Sequence, residues 1–190
     1  MTFLDHLESF LGPAHHVHRA ADAEGEVFPF DIAEFQDQPG PGITTYLTVG
    51  LSEERFPVPE GGFVRHELLL SVPDAFAGEE GLRLLFHVGE VIRQQPEGIS
   101  LGLVLDLHGP ILPGARSEGF FFYDPMYFPA EFGRVTRHGE ETLLAWLVPV
   151  TRDELDYLSQ HDTAAFDQLL EAQNPDVLDL TRDSLRLPPS

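Results

Sequence analysis

Three stretches carry side chains with the types and spacing for chemistry: HHVH at 15–18, Asp106 with His108, and Thr151 at the joint between LLAWLVPV and TRDELDYL. Imidazole is a common metal ligand, and on a strand His16 and His18 would share one side while His15 points away. Two histidines leave a zinc shell incomplete, and a third ligand would have to come from a distant part of the chain. The segment also follows a helix-ending Gly12-Pro13, so a solvated connection is the plainer reading of His15, His16 and His18. Asp106 and His108 are two residues apart and share a strand face, which is thin ground for an acid–base pair in a chain this acidic. Thr151 stands where a strand meets a helix, the position of a nucleophile elbow, but no glycines flank it. With Glu154 three residues later it reads instead as a reciprocal helix cap, its hydroxyl tied to the backbone. HExxH, GxSxG and a phosphate-cradling glycine loop are all missing, and with no cysteine there is no thiolate nucleophile or thiolate metal site. The expectation is therefore no enzyme, no metal and no cofactor. A small-molecule or metal-binding domain, or an enzyme without a recognisable motif, stands as the alternative.

If the chemistry is binding, composition narrows the partner. Against 32 acidic residues stand 11 basic ones, every one an arginine, for a net charge of −21. Nucleic acid phosphates are disfavoured partners of such a surface, whereas basic proteins are drawn to it. The acid is spread along the chain and does not form a tail, so it serves solubility as readily as steering. The opening MTFLDHLESFLG carries acids and a histidine where a secretory signal needs a basic start, and no apolar run approaches membrane-spanning length. This predicts a cytoplasmic protein. A hydrophobic fraction of 42% with fifteen phenylalanines in 190 residues supports one substantial core.

The elements that would position these residues follow from periodicity. Thr2 caps a helix with apolar positions at Phe3, Leu4, Leu7, Phe10 and Leu11. GPGITTYLTVGLS (40–52) and VRHELLLSV (64–72) read as an antiparallel strand pair. Leu82, Leu85, Phe86, Gly89 and Ile92 recur at helical spacing from Gly81 to Pro96. ISLGLVLDLHGPIL (99–112), FFFYDPMYF (120–128, turning at Asp124-Pro125) and TLLAWLVPV read as further strands. A helix from Thr151, a second over 164–173 ended by Asn174-Pro175, and a short VLDL strand complete the chain. No repeat or linker divides it. The prediction is one α+β domain over 1–187, a mixed, largely antiparallel sheet flanked by helices, with a frayed 188–190.

The order and spacing of LLAWLVPVT, RDELDYL, AAFDQLL and VLDLTRDSL (177–185) resemble the suppressor-of-fused domain, and FPFDI (28–32), TTYLTVGLS (44–52) and HELLLSV (66–72) are compatible with it. Trp146, Pro149, Thr151, Glu154, Asp179 and Arg182 are the motif positions, each with a structural role available. Pro149 would end a strand, Glu154 cap a helix, and Arg182 anchor a final strand by its forked guanidinium. What the resemblance implies is protein binding. Animal members grip an extended peptide of zinc-finger transcription factors as an added strand, and bacterial relatives look like immunity proteins that neutralise toxin domains. This chain is too short for the two-lobed animal form, so the Hedgehog role is not transferred. The partner would be a basic toxin domain or an extended peptide, with the oligomeric state left open. Strand addition needs an open sheet edge. Leu103, Val104 and Asp106 in one segment, and Phe121 and Tyr123 in another, are the candidate contacts, although adjacent apolar residues read first as strands buried on both faces.

Overall fold

The computed structural model describes residues 2–21, 25, 27–57, 62–95, 99–137 and 139–188. The first helix, α1 (Phe3–Leu11), starts where the Thr2 hydroxyl accepts the Asp5 N–H at 3.0 Å and Asp5 accepts the Thr2 N–H at 2.6 Å. Its Phe3, Leu7 and Leu11 are buried, and Gly12 at φ +79° ends it. Strands β1 (His16–His18), β2 (Asp31–Gln36), β3 (Ile43–Val49), β4 (Phe56–Pro57) and β5 (Phe63–Pro73) follow, and then the main helix α2 (Glu79–Arg93). The rest of the chain forms β6 (Val104–Asp106), β7 (Ser117–Tyr123), β8 (Arg134–Arg137), β9 (Glu140–Thr151), α3 (Arg152–Leu158) and α4 (Thr163–Gln173).

The main sheet runs β1-β2-β3-β5-β9-β7-β6, with β4 paired to β5 and β8 to β9. All pairs are antiparallel except the central β5 and β9. Side chains alternate between faces, so neighbouring apolar residues feed two cores. Leu68, Leu70, Phe120, Phe122 and Leu147 pack with α2 on one face, where Gly89 admits the Phe30 ring: a Cβ there would lie 2.5 Å from Phe30 Cζ. Leu69, Phe121, Trp146 and Val148 pack with α1, α3 and α4 on the other. This two-sided burial is why the central strands read as unbroken apolar runs.

Several expectations are corrected. The 99–112 segment contributes only β6, because Gly102 at φ +92° and His108 at φ +58° leave the extended region on either side. The 120–128 run leaves the sheet after Tyr123, at the expected Asp124-Pro125 turn, but the residues beyond it form no strand: Phe128 turns back to stack on Phe132 at 4.6 Å. Pro149 does not end a strand, since β9 continues through it to Thr151 with Pro149 opposite Phe120. VLDL forms no strand: Asp176 accepts the Leu178 N–H at 3.0 Å and Asp179 the Thr181 N–H at 2.8 Å, which folds the segment into side-chain-closed turns. Helix α2 ends at Arg93; the expected stop at Pro96, like most of the expected fray at 188–190, lies outside the described residues.

Candidate protein-binding edge

Strand β6 ends the sheet, with β7 as its one neighbouring strand among the described residues. Its position depends on glycine. Gly119 lies opposite Asp106, and a Cβ there would sit 2.3 Å from the Leu105 carbonyl oxygen and 3.1 Å from Leu155, so a side chain would hold both β6 and α3 away. The Leu103 carbonyl accepts the Phe122 N–H at 2.9 Å, and the Leu107 N–H donates to the Glu118 carbonyl at 3.0 Å. Backbone direction alternates along a strand, so Val104 and Asp106 turn their N–H and C=O groups outward. Leu103, 41% exposed, and the exposed Leu101 stand beside that open ladder, while Val104 is half-buried against the α4-side core.

Asp106 is held from above by the first residue of α3. Arg152 donates from Nη1 and Nη2 to the two Asp106 carboxylate oxygens at 2.6 and 2.9 Å, and from Nε to Glu118 at 2.9 Å. The His108 N–H adds a bond to Asp106 Oδ1 at 2.7 Å. The Arg152 hydrogen bonds hold the Asp106 carboxyl down to about 2, and the two carboxylates raise the Arg152 guanidinium further. A carboxylate so placed is a weak base at neutral pH, and the adjacent His108 ring, 3.3 Å away at Nδ1, is almost fully exposed. The arrangement is an electrostatic latch on a sheet edge.

The remaining candidate contacts lie elsewhere. Phe121 is enclosed, packed edge-on to Phe166 at 5.2 Å, with 1% of its surface exposed. Tyr123 is half-buried at the end of β7 and lines a separate recess with Trp146. The motif residues gather at the base of α3. Glu154 Oε2 accepts the Thr151 N–H at 2.9 Å, and the Thr151 hydroxyl lies 2.8 Å from Ser184 Oγ. Arg182 grips both Glu154 oxygens at 2.6 and 2.8 Å and the Pro149 carbonyl at 3.1 Å, while Glu154 also accepts the Leu185 N–H at 2.9 Å. Residues 177–185 form no strand, and Arg182 anchors instead an irregular segment whose turn Asp179 closes. At the opposite sheet edge, His18 is bonded to Glu34 at 2.7 Å while His15 and His16 are exposed; among the described residues no group of three or more His, Asp or Glu is placed to hold a metal. The latch residues Arg152 and Glu118 escape sequence reasoning, because nothing local in RDELDYL points to a carboxylate 46 positions upstream.

No helix among the described residues is long and apolar enough to cross a membrane. Among curated proteins, no sequence match is found. The fold matches a suppressor of fused homologue from Neisseria gonorrhoeae FA 1090 with a TM-score of 0.75 at 18% identity, covering 96% of this chain and 93% of that one. It also matches a chain of the Sufu–Fu complex (TM-score 0.67, 17% identity, 95% and 89% covered) and Drosophila Suppressor of Fused (0.71, 15%, 96% of this chain and 50% of that one). The sequence profile of the suppressor of fused protein family matches residues 27–183, and this chain belongs to that family.

Proposed function

We propose that the chain is a non-enzymatic protein-binding module that takes an extended segment of a protein partner along β6, and that it acts in the cytoplasm as an immunity-type protein neutralising a basic toxin domain. The observation that carries the reading is the open outer ladder of β6, flanked by exposed Leu101 and Leu103 and kept flat against β7 by Gly119. An added strand would bond to the outward groups of Val104 and Asp106 and seat alternate side chains on the leucines. The family supports binding as the function, since one matched structure is of a relative in a complex, and the −21 charge supports a basic partner.

The test is capture of partner proteins from native lysate by tagged wild type and by Val104→Pro, each at low and high salt. Proline removes the outward N–H and leaves the bonds to β7 in place. A stoichiometric basic partner that Val104→Pro fails to retain supports strand addition. A partner retained equally by both, and lost with salt from both, would place binding on the acidic surface and away from the edge.

A further inference from the structure

A second recess lies where β7, β9 and the end of α4 meet, on the sheet face opposite α2. It has a volume of about 300 Å³ and is lined by Tyr123, Met126, Tyr127, Trp146, Leu170 and Glu171, among others. Met126 and Tyr127 are exposed large side chains at its mouth, and Trp146, 1% exposed, lies deeper with its ring 5.2 Å from that of Tyr127. Among the described residues Trp146 Nε1 is buried without a hydrogen-bond partner, which is unusual because a buried indole N–H ordinarily finds an acceptor.

The charge around these rings has one sign. Asp167, Glu171 and Asp124 act on Tyr123 and Asp176 on Tyr127; together with burial, the larger cause, they push both hydroxyls above their ordinary range. Among the described residues none of these four carboxylates forms an ion pair with an arginine, although most arginines of the chain are so engaged. The C-terminal end of α4, closed by Asn174 at φ +42°, adds its partial negative charge to the rim. An exposed aromatic ring at the mouth and a negative field with no arginine paired into it ask for a ligand that is flat and cationic.

We infer that the Tyr127–Trp146 recess binds an arginine side chain of a basic protein partner, the guanidinium stacking on the exposed Tyr127 ring at the mouth and meeting Glu171. Arginine suits the site better than lysine because its plane stacks, its head is weakly hydrated, and its apolar stem can lie along Met126 and Leu170. The site does not depend on strand addition at β6.

Trp146 is the chain's single tryptophan and reports on its own recess. The full-length protein is titrated with a doubly blocked Gly-Gly-Arg-Leu-Gly peptide while Trp146 emission is followed, with isothermal calorimetry alongside. Peptides carrying citrulline or lysine in place of arginine, and the Glu171→Gln and Val104→Pro proteins, complete the set. The expected result is a saturable emission change with arginine, at least about fivefold weaker binding of citrulline and of lysine, and a similar loss in Glu171→Gln. Val104→Pro should bind as wild type does, which separates this site from the edge. Glu171 is exposed, so its variant should keep the wild-type unfolding midpoint. Absence of saturable binding by both methods, equal binding of citrulline or lysine, or an unchanged Glu171→Gln would overturn the inference.

Discussion

Arg182 and Arg152 make nearly the same bond in opposite settings. Each places two guanidinium nitrogens on one carboxylate, at 2.6 and 2.8 Å for Glu154 and at 2.6 and 2.9 Å for Asp106. The Arg182 and Glu154 side chains are 7% and 0% exposed, those of Arg152 and Asp106 36% and 31%. A buried fork has already lost its water, so removing one partner strands the other charge in a medium that cannot solvate it. At a half-exposed fork, water replaces whatever is removed. The first therefore fixes the fold, joining α3, β9 and the C-terminal segment. The second sits where water can take the place of either partner.

The largest effect that tests this contrast is Glu154→Gln. It leaves Arg182 buried without a counter-charge and weakens the acceptor for the Thr151 and Leu185 N–H groups. We expect a loss of about 3–5 kcal/mol in urea unfolding, with Arg182→Ala in the same range. A loss below about 1 kcal/mol would place both forks in one class and dissolve the comparison.

His66 extends the contrast to a buried titratable group with no fork at all. Its ring is stacked on Phe56 at 4.3 Å, both nitrogens lack partners among the described residues, and burial lowers its pKa to about 4. Between pH 6.5 and 4 the unfolded chain binds a proton there that the native state refuses. Stability therefore falls as pH falls through that window, by about 3 kcal/mol for this residue. Its neighbour Glu67 works the other way. Burial raises the Glu67 carboxyl against four hydrogen bonds from Thr48, Gly50 and Ser52, so native Glu67 takes up its proton first and gains stability on acidification. The wild-type profile is a sum, and the difference between wild type and His66→Phe isolates the histidine. Parallel urea midpoints for the two proteins from pH 7 to 4 would show that the unpartnered ring does not resist protonation.

How much of this was legible follows the range over which each signal acts. Helical periodicity is local, and it exposed α1, α2 and α4 through residues such as Leu7, Leu85 and Phe166. Adjacent apolar residues exposed β5, β7 and β9 because both faces are covered. The strands β1, β2 and β8 were missed: HVH and RVTR carry polar or charged residues at most positions and their pattern is supplied by the neighbour they pair with. The 99–112 strand was overdrawn since leucine–valine alternation shows no trace of the left-handed backbone at Gly102 and His108. At the clamp, the capping role of Glu154 and the forked role of Arg182 were each visible singly. Their partnership spans 28 positions and is made by the fold. The edge latch is longer-ranged still, which is why Asp106 suggested His108, its sequence neighbour, before Arg152.

The smallest effect on stability separates the two forks most sharply in function. Arg152→Ala should leave the urea midpoint almost unmoved, since both ends of the latch meet solvent. Its signature is in titration. With the guanidinium gone, the Asp106 carboxyl should rise from about 2 toward its ordinary value of 3.8, read by NMR on the side-chain carbonyl. The sign follows from the depressed native pKa: whatever the latch adds is present above about pH 4 and is lost as pH falls toward 2. If β6 is the capture edge, the same variant should alter partner dissociation at neutral pH while the fold stays intact, because Arg152 and Asp106 stand beside the outward ladder. A variant that unfolds as easily as Glu154→Gln would make the edge latch a second structural clamp and leave β6 without a group free to respond to a partner.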